Sequence, residues 1–277
     1  MKLFKKIAII GVGLIGGSLG LAIKKKQLAD TVIGIGHRQA SIDQALRRGA
    51  IDQGCLDIEA AQGAGLLILA TPVDKILGLI PRLFKIVSSE CMVIDVGSTK
   101  SEIVKAAEKS GLTFIGCHPL AGMEKRGVAY AKDDIFENSL CLVVAPMKAK
   151  RTDIERVREF WKKLGAKTEV MDACMHDRIL SFVSHLPHVV AYSLMDCIKP
   201  SYLKFAASGL KDTTRIGLSD PLLWRDIFLT NRKELLTSIK DFKASLNRVE
   251  LLIRNNQSKA LAAYLSKSRN KRNAIAH

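Results

Sequence analysis

An α/β chain in two parts is predicted: a parallel sheet covered by helices over residues 1–168, then an all-helical stretch over residues 169–277. Three observations predict it. Short apolar runs alternate with amphipathic stretches through the first half. Several of those runs are nearly continuous Ile, Val and Leu, the composition of strands buried on both faces. Beyond residue 172 no strand pattern recurs, while long helical periodicities do.

Taken in order, the first strand covers residues 6–10 and runs into Gly11-Val12-Gly13-Leu14-Ile15-Gly16, which opens a helical run. Further strands are expected at 31–35, 65–70, 92–96, 113–116, 140–145 and 167–171, with helices at 73–87 and 101–110 between them. Thr99 and Glu102 have capping-box spacing at the start of the second of those helices. In the helical stretch, 173–199 comes first, with Pro187 as a kink, and 221–255 is the longest. The latter is apolar on several sides, through Leu222, Trp224, Ile227, Leu229, Leu235, Leu236 and Ile239. A helix apolar on several sides is buried on several sides, so a dimer interface is expected here.

Composition bounds the partners. Lys and Arg outnumber Asp and Glu by 43 to 27, a net charge of +16 that favours anions. Aromatics make up only 5% of the chain and no basic stripe interleaves with them, so nucleic acid is not the expected partner. The basic segment 267–272 reads as a solvated tail. Residues 7–23 carry no charge, but glycines at 11, 13, 16, 17 and 20 suit a tight turn and not a lipid span. Cys55, Cys91, Cys117, Cys141, Cys174 and Cys197 stand singly. Without C-x-x-C spacing they indicate neither zinc nor a redox motif, and a reducing, cytoplasmic compartment is expected.

The residues with chemistry fall at predicted strand ends. Gly11 allows the tight turn, Gly13 lets the backbone approach a pyrophosphate, and Gly16 lets helix and strand pack closely. With Leu14 and Ile15 they form the fingerprint of a Rossmann-type dinucleotide site, the phosphates resting on the helix N-terminus. Where an NAD-preferring site places Asp or Glu, this chain has Gly36, followed by His37 and Arg38. A 2′-phosphate would meet no carboxylate there and could pair with Arg38, so NADP is favoured over NAD. Thr71-Pro72-Val73, Ser98 and His118 end successive strands on the same sheet edge. An imidazole at that edge can accept a substrate hydroxyl proton while a hydride leaves the same carbon. Farther on, Ser184, His185 and His188 share helix faces, with no spacing that suggests a metal. Asp212 and Arg215 fall in an expected inter-helix loop, where an oriented arginine could bind an anion.

Together GVGLIGGS, ATPV, GSTKS, HPLAGMEKRG, SHLPH, GLKDTTRI and SDPLLWRDIF resemble the prephenate/arogenate dehydrogenase family, in order from about residue 6 to 235. The resemblance implies oxidative decarboxylation of a cyclohexadienyl acid, with hydride passing from ring C4 to NAD(P)+. It implies His118 as the histidine that takes the 4-hydroxyl proton and Ser98 as a serine near that hydroxyl. It further implies that Arg215 grips the ring carboxylate and that Ser184 and His188 line the pocket. Glu124 and Asp212 match carboxylates of an ionic network with the arginine, and Trp224 matches a pocket residue, with a core role open beside it. Tyrosine feedback, where present, is expected to act at or near the active site. A β-hydroxyacid dehydrogenase-like oxidoreductase would need a catalytic lysine on the long helix after the first domain, and residues 173–198 contain none. A non-catalytic NADP-binding sensor would leave His118 and Arg215 without a role.

Overall fold

The computed structural model describes residues 2–122 and 125–275. They divide into two compact units, Met1–Arg232 and Lys233–His277. The first opens with β1 (Phe4–Ile10), α1 (Leu14–Lys25), β2 (Ala29–Ile35), α2 (Gln39–Arg47) and β3 (Gln53–Cys55). It continues with β4 (Leu66–Leu69), α3 (Val73–Leu83), β5 (Met92–Asp95), α4 (Ser101–Ser110) and β6 (Phe114–Pro119). Next come β7 (Leu140–Val144), α5 (Arg151–Lys163) and β8 (Lys167–Met171). Helices α6 (Ala173–Leu180), α7 (Leu186–Cys197), α8 (Ser208–Thr214) and α9 (Pro221–Thr230) complete it.

The sheet order is β3-β2-β1-β4-β5-β6-β7-β8. Every neighbouring pair is parallel except β6 with β7. The predicted parallel α/β domain followed by helices is the architecture found, with β7 and β8 reversed against the rest. Successive strand residues feed opposite cores: Ile7 and Ile9 pack on one face with Leu19, Ile68 and Trp161, while Ala8 and Ile10 pack on the other with Leu67, Ile76 and Ile80. Period-2 side chains buried on both sides explain why these strands read as unbroken apolar runs. Each such side chain contributes about 1.5–3 kcal/mol by leaving water.

Several local expectations change. Strand β3 carries the half-polar Gln-Gly-Cys and has no apolar signal. The strand expected at 113–116 extends to Pro119 and includes His118. The capping box at α4 does not form; Thr99 Oγ1 meets Thr230 Oγ1 at 3.0 Å. Asp177 instead accepts from the Lys100 and Ser101 N–H groups at 2.8 Å each, a tertiary partner doing a local residue's task. Residues 173–199 are helical, but a π turn at Ser181–His185 stands where a kink was expected. Pro187 has no N–H to return to the preceding turn, and the Leu186 N–H reaches back to the Ser181 carbonyl. Residues 208–214 are helix α8 and Arg215–Leu218 is a 3₁₀ turn, where a loop was expected. Asn231 interrupts the helix expected at 221–255.

The second unit is a helical hairpin of α10 (Arg232–Arg254) and α11 (Ser258–Asn273). Asn256, at φ 51°, makes the turn between them. Across the hairpin Ser245 Oγ and Tyr264 OH lie 2.6 Å apart. The basic segment 267–272 is part of α11. No helix among the described residues is long and apolar enough to cross a membrane.

Candidate active site

The strand order reverses between β1 and β4, so the loops leaving their carboxyl ends diverge and open a crevice. Gly11 closes the turn at φ +99°; a Cβ there would lie 2.5 Å from the Ala70 carbonyl oxygen. A Cβ on Gly16 would stand 1.9 Å from the Gly11 carbonyl oxygen, so only glycine lets α1 approach the turn this closely. Gly13 precedes α1, its side-chain position facing open space. Leu14 and Ile15 start the helix, whose first turn has no acidic residue to repel a phosphate. Across the crevice Thr71 follows β4, and its Oγ1 is buried without a hydrogen-bond partner among the described residues. An orphaned buried hydroxyl at the crevice that the glycine turn borders fits a polar ligand such as a dinucleotide. Pro72 and Val73 begin α3 at the same edge. His37 and Arg38 are exposed beyond β2, Arg38 preceding α2, whose first turn also lacks an acid.

Three strands along the same edge, His118 on β6 is backed by α6. Its Nδ1 lies 2.9 Å from His176 Nε2, and His176 Nδ1 lies 2.8 Å from Asp177 Oδ1. His176 and Asp177 are fully buried, whereas His118 keeps one side partly open. Burial, followed by the fields of His176, Lys100 and His185, holds the His118 pKa well below the usual histidine value. Burial acts against charging Asp177, but the hydrogen bonds from His176 and Ser101 prevail and its pKa is lowered. Lys100 is also wholly buried; its Nζ donates to Asp95 Oδ2 at 2.6 Å, to the Gly97 carbonyl at 2.6 Å and to the Thr99 carbonyl at 3.3 Å. This ammonium clamps the loop that carries the half-buried Ser98. Burial pushes the Asp95 carboxyl up, against the pull of Lys100 and of the Gly97 and Cys117 N–H groups.

A third cluster forms on α7 and α9. The His188 ring stacks on Trp224, with centroids 3.3 Å apart and planes 20° apart. His188 Nδ1 donates to the Ser184 carbonyl at 3.0 Å. His185, turned inward by the π turn, sets its edge against Trp224 at 6.0 Å. Asn231 Nδ2 donates to the Asp177 carbonyl at 2.8 Å and lies 3.0 Å from His185 Nδ1. Burial lowers the His185 pKa to about 4 and also lowers that of His188. Asn231 thus ties Asp177, behind His118 and His176, to His185 beside Trp224. Asp212 and Arg215 are exposed, on α8 and the turn after it, elements packed against α7. Glu124 lies outside the described residues. Among the described residues, no group of three or more His, Cys, Asp or Glu could hold a metal ion.

His176, Asp177 and Asn231 were not legible as site residues. A His-Asp pair near the start of a helix has no spacing that names its partner on a distant strand. Asn231 left only one trace, as a polar residue within an otherwise periodic helical stretch.

The chain is similar to known proteins through both its parts. Residues 19–170 match the model of the prephenate dehydrogenase nucleotide-binding domain, and residues 172–267 that of the prephenate dehydrogenase dimerization domain. A prephenate dehydrogenase of Lactococcus lactis is 36% identical over 98% of this chain and 77% of its own length. The crystal structure of prephenate dehydrogenase from A. aeolicus in complex with hydroxyphenyl propionate and NAD+ is 32% identical, with TM-score 0.93 over 98% of each chain. The crystal structure of Synechocystis arogenate dehydrogenase is 28% identical, with TM-score 0.86 over 98% of this chain and 99% of that one.

Proposed function

The chain belongs to the prephenate dehydrogenase family, and from that premise we propose that it oxidatively decarboxylates prephenate, arogenate or both with a nicotinamide dinucleotide. The products are 4-hydroxyphenylpyruvate from prephenate and tyrosine from arogenate, with CO2 and the reduced cofactor. One observation carries this reading: a neutral imidazole, His118, stands open-sided on the sheet edge that also holds the glycine crevice. Residues 1–168 hold the dinucleotide, and 169–277 supply the substrate pocket and the dimer contact.

Gly11, Gly13, Leu14, Ile15, Gly16, Thr71, Pro72 and Val73 bind the cofactor, which when bound supplies the hydride acceptor. His118 takes the proton of the substrate's 4-hydroxyl, and Ser98 orients that hydroxyl beside it. Arg215 grips the ring carboxylate through its planar fork, with Asp212 and Glu124 orienting it. Ser184, His188 and Trp224 line the face against the ring. The aromatic product and departing CO2 provide the driving force, so the protein's work is chiefly orientation. The excess of sixteen positive charges draws the anionic substrate in.

NADP is the preferred cofactor: Gly36 leaves the ribose site without a carboxylate, and exposed Arg38 stands ready for a 2′-phosphate. The six cysteines are free thiols, which suits a cytoplasmic setting. Steady-state assay of both substrates against both cofactors tests the whole reading. Turnover of prephenate or arogenate supports it, and inactivity with all four combinations removes it. A tenfold preference for NAD in kcat/KM would reverse the cofactor assignment alone.

A further inference from the structure

The hydrogen bonds behind His118, with the burial and charges around them, favour one arrangement of protons. Both carboxylate oxygens of Asp177 face backbone N–H groups, Lys100 on Oδ1 and Ser101 on Oδ2, each at 2.8 Å. A backbone N–H can only donate, so both oxygens accept. Together with the His176 and Ser101 hydrogen bonds this favours the charged form, the Asp177 pKa is lowered, and the carboxyl is ionised. His176 Nδ1, 2.8 Å from Asp177 Oδ1, therefore carries a proton. That ring is fully buried and lies in the field of the Lys100 ammonium, where a second cation is disfavoured. With its single proton on Nδ1, His176 presents a lone pair at Nε2. His118 Nδ1, 2.9 Å from that lone pair, must be the donor. The Nε2 of His118 is then the nitrogen without a proton.

We propose that His176 and Asp177 are positioning residues of the reaction: they lock His118 in its Nδ1–H tautomer and so reserve Nε2 as the base. The inference rests on the reading of His118 as acceptor of the substrate hydroxyl proton. In that step the substrate O–H bond breaks, an N–H bond forms at His118 Nε2, and the electron pair stays on oxygen. The resulting imidazolium keeps its Nδ1–H bond to His176, whose far nitrogen is held by the Asp177 carboxylate, so the new charge is compensated through one ring. The same carboxylate holds the N–H groups of Lys100 and Ser101, just after Ser98. One buried anion therefore fixes both the orientation of the base and the loop presenting the serine. Without the His176 acceptor, the His118 ring can carry its proton on Nε2, and no lone pair faces the substrate.

Nitrogen-15 spectra of the histidine-labelled enzyme, with the His118 signals identified by their loss in His118→Asn, read the tautomer directly. The expected result in the unsubstituted enzyme at neutral pH is a proton on His118 Nδ1 and none on Nε2. In His176→Phe the proton is expected to move to Nε2 and kcat to fall about tenfold or more, up to the ~10²–10⁴-fold that a general base supplies, while KM changes less than about twofold. His176→Gln, whose amide oxygen can accept from Nδ1, should recover much of that loss. A wild-type His118 protonated on Nε2 overturns the proposal without need of any variant. So does His176→Phe with unchanged tautomer and kcat. Wild-type turnover by His118→Asn would instead remove the base itself, and the spectrum of the unsubstituted enzyme would still decide the tautomer.

Discussion

The surroundings of His118 refuse it a charge, which suits the base proposed for it. Burial, the neighbouring His176 and the Lys100 ammonium all disfavour the imidazolium, so the free ring is neutral well below the ordinary histidine range. A base must be unprotonated to act, and its activity is lost as pH falls through its own pKa. The acid limb of kcat/KM is accordingly expected below pH ~6.5, the unperturbed histidine value. A limb centred at or above that value would show that His118 is not the group being titrated. Replacing the ring by His118→Asn is expected to lower kcat by ~10²–10⁴-fold while cofactor binding, followed by fluorescence, stays unchanged. At this scale the sequence was informative where function depends on local position. A glycine triad after a strand and a histidine at a strand end can be placed from their neighbours alone. His176, Asp177 and Lys100 could not be placed this way, because their roles arise from hydrogen bonds between elements far apart in the chain.

Among the elements, the helix starts show how tertiary partners replace local signals. The Thr99–Glu102 spacing suggested a self-capped α4, yet Asp177 from α6 holds its first N–H groups. Asp220, by contrast, caps α9 locally through the Leu222 and Leu223 N–H groups at 2.8 and 2.9 Å. The π turn at Ser181–His185 brings His185 inward to Asn231, leaving His188 to stack on Trp224. Both rings still meet the Trp224 indole, His188 by its face and His185 by its edge. Packing between α1 and the β1 turn leaves no room for a side chain at Gly16. Gly16→Ala would drive a Cβ to 1.9 Å from the Gly11 carbonyl oxygen, so the turn or the helix must shift. The expected cost is about 1–3 kcal/mol in stability, with a clear loss of cofactor affinity. Unfolding by denaturant and a cofactor titration measure the two; a variant matching the parent in both would show that the close approach is dispensable.

For the molecule as a whole, the buried histidines set the response to acid. Burial is the leading cause of the lowered pKa at His118, His176, His185 and His188. In the unfolded chain each titrates near ~6.5. Between that value and the folded one, the unfolded state binds protons that the native state refuses, so stability rises with pH across this window. For His185, with its folded pKa of about 4, the loss on acidification is on the order of 3 kcal/mol, at ~1.4 kcal/mol per pKa unit. The denaturation midpoint should therefore fall steadily from about pH 7 to about pH 4.5, and a flat midpoint over that range would contradict the assignment. Along α10, Phe242, Leu246 and Ile253 are exposed on one stripe, and they support the proposed dimer. Leu246→Glu combined with Ile253→Glu is expected to convert the dimer to a monomer in sedimentation velocity. Persistence of the dimer would move the contact elsewhere on the helical stretch.

From its sequence alone, this chain determined a doubly covered sheet, a dinucleotide crevice and the strand-end histidine, because side-chain period, glycine geometry and strand ends are properties of neighbouring residues. Only the tertiary structure decided that His176 and Asp177 stand behind that histidine, since partners across the fold come from distant parts of the chain. It likewise decided the reversed strands, the outside cap on α4 and the inward turn of His185. Each of these depends on which surfaces meet, and no short segment contains that information.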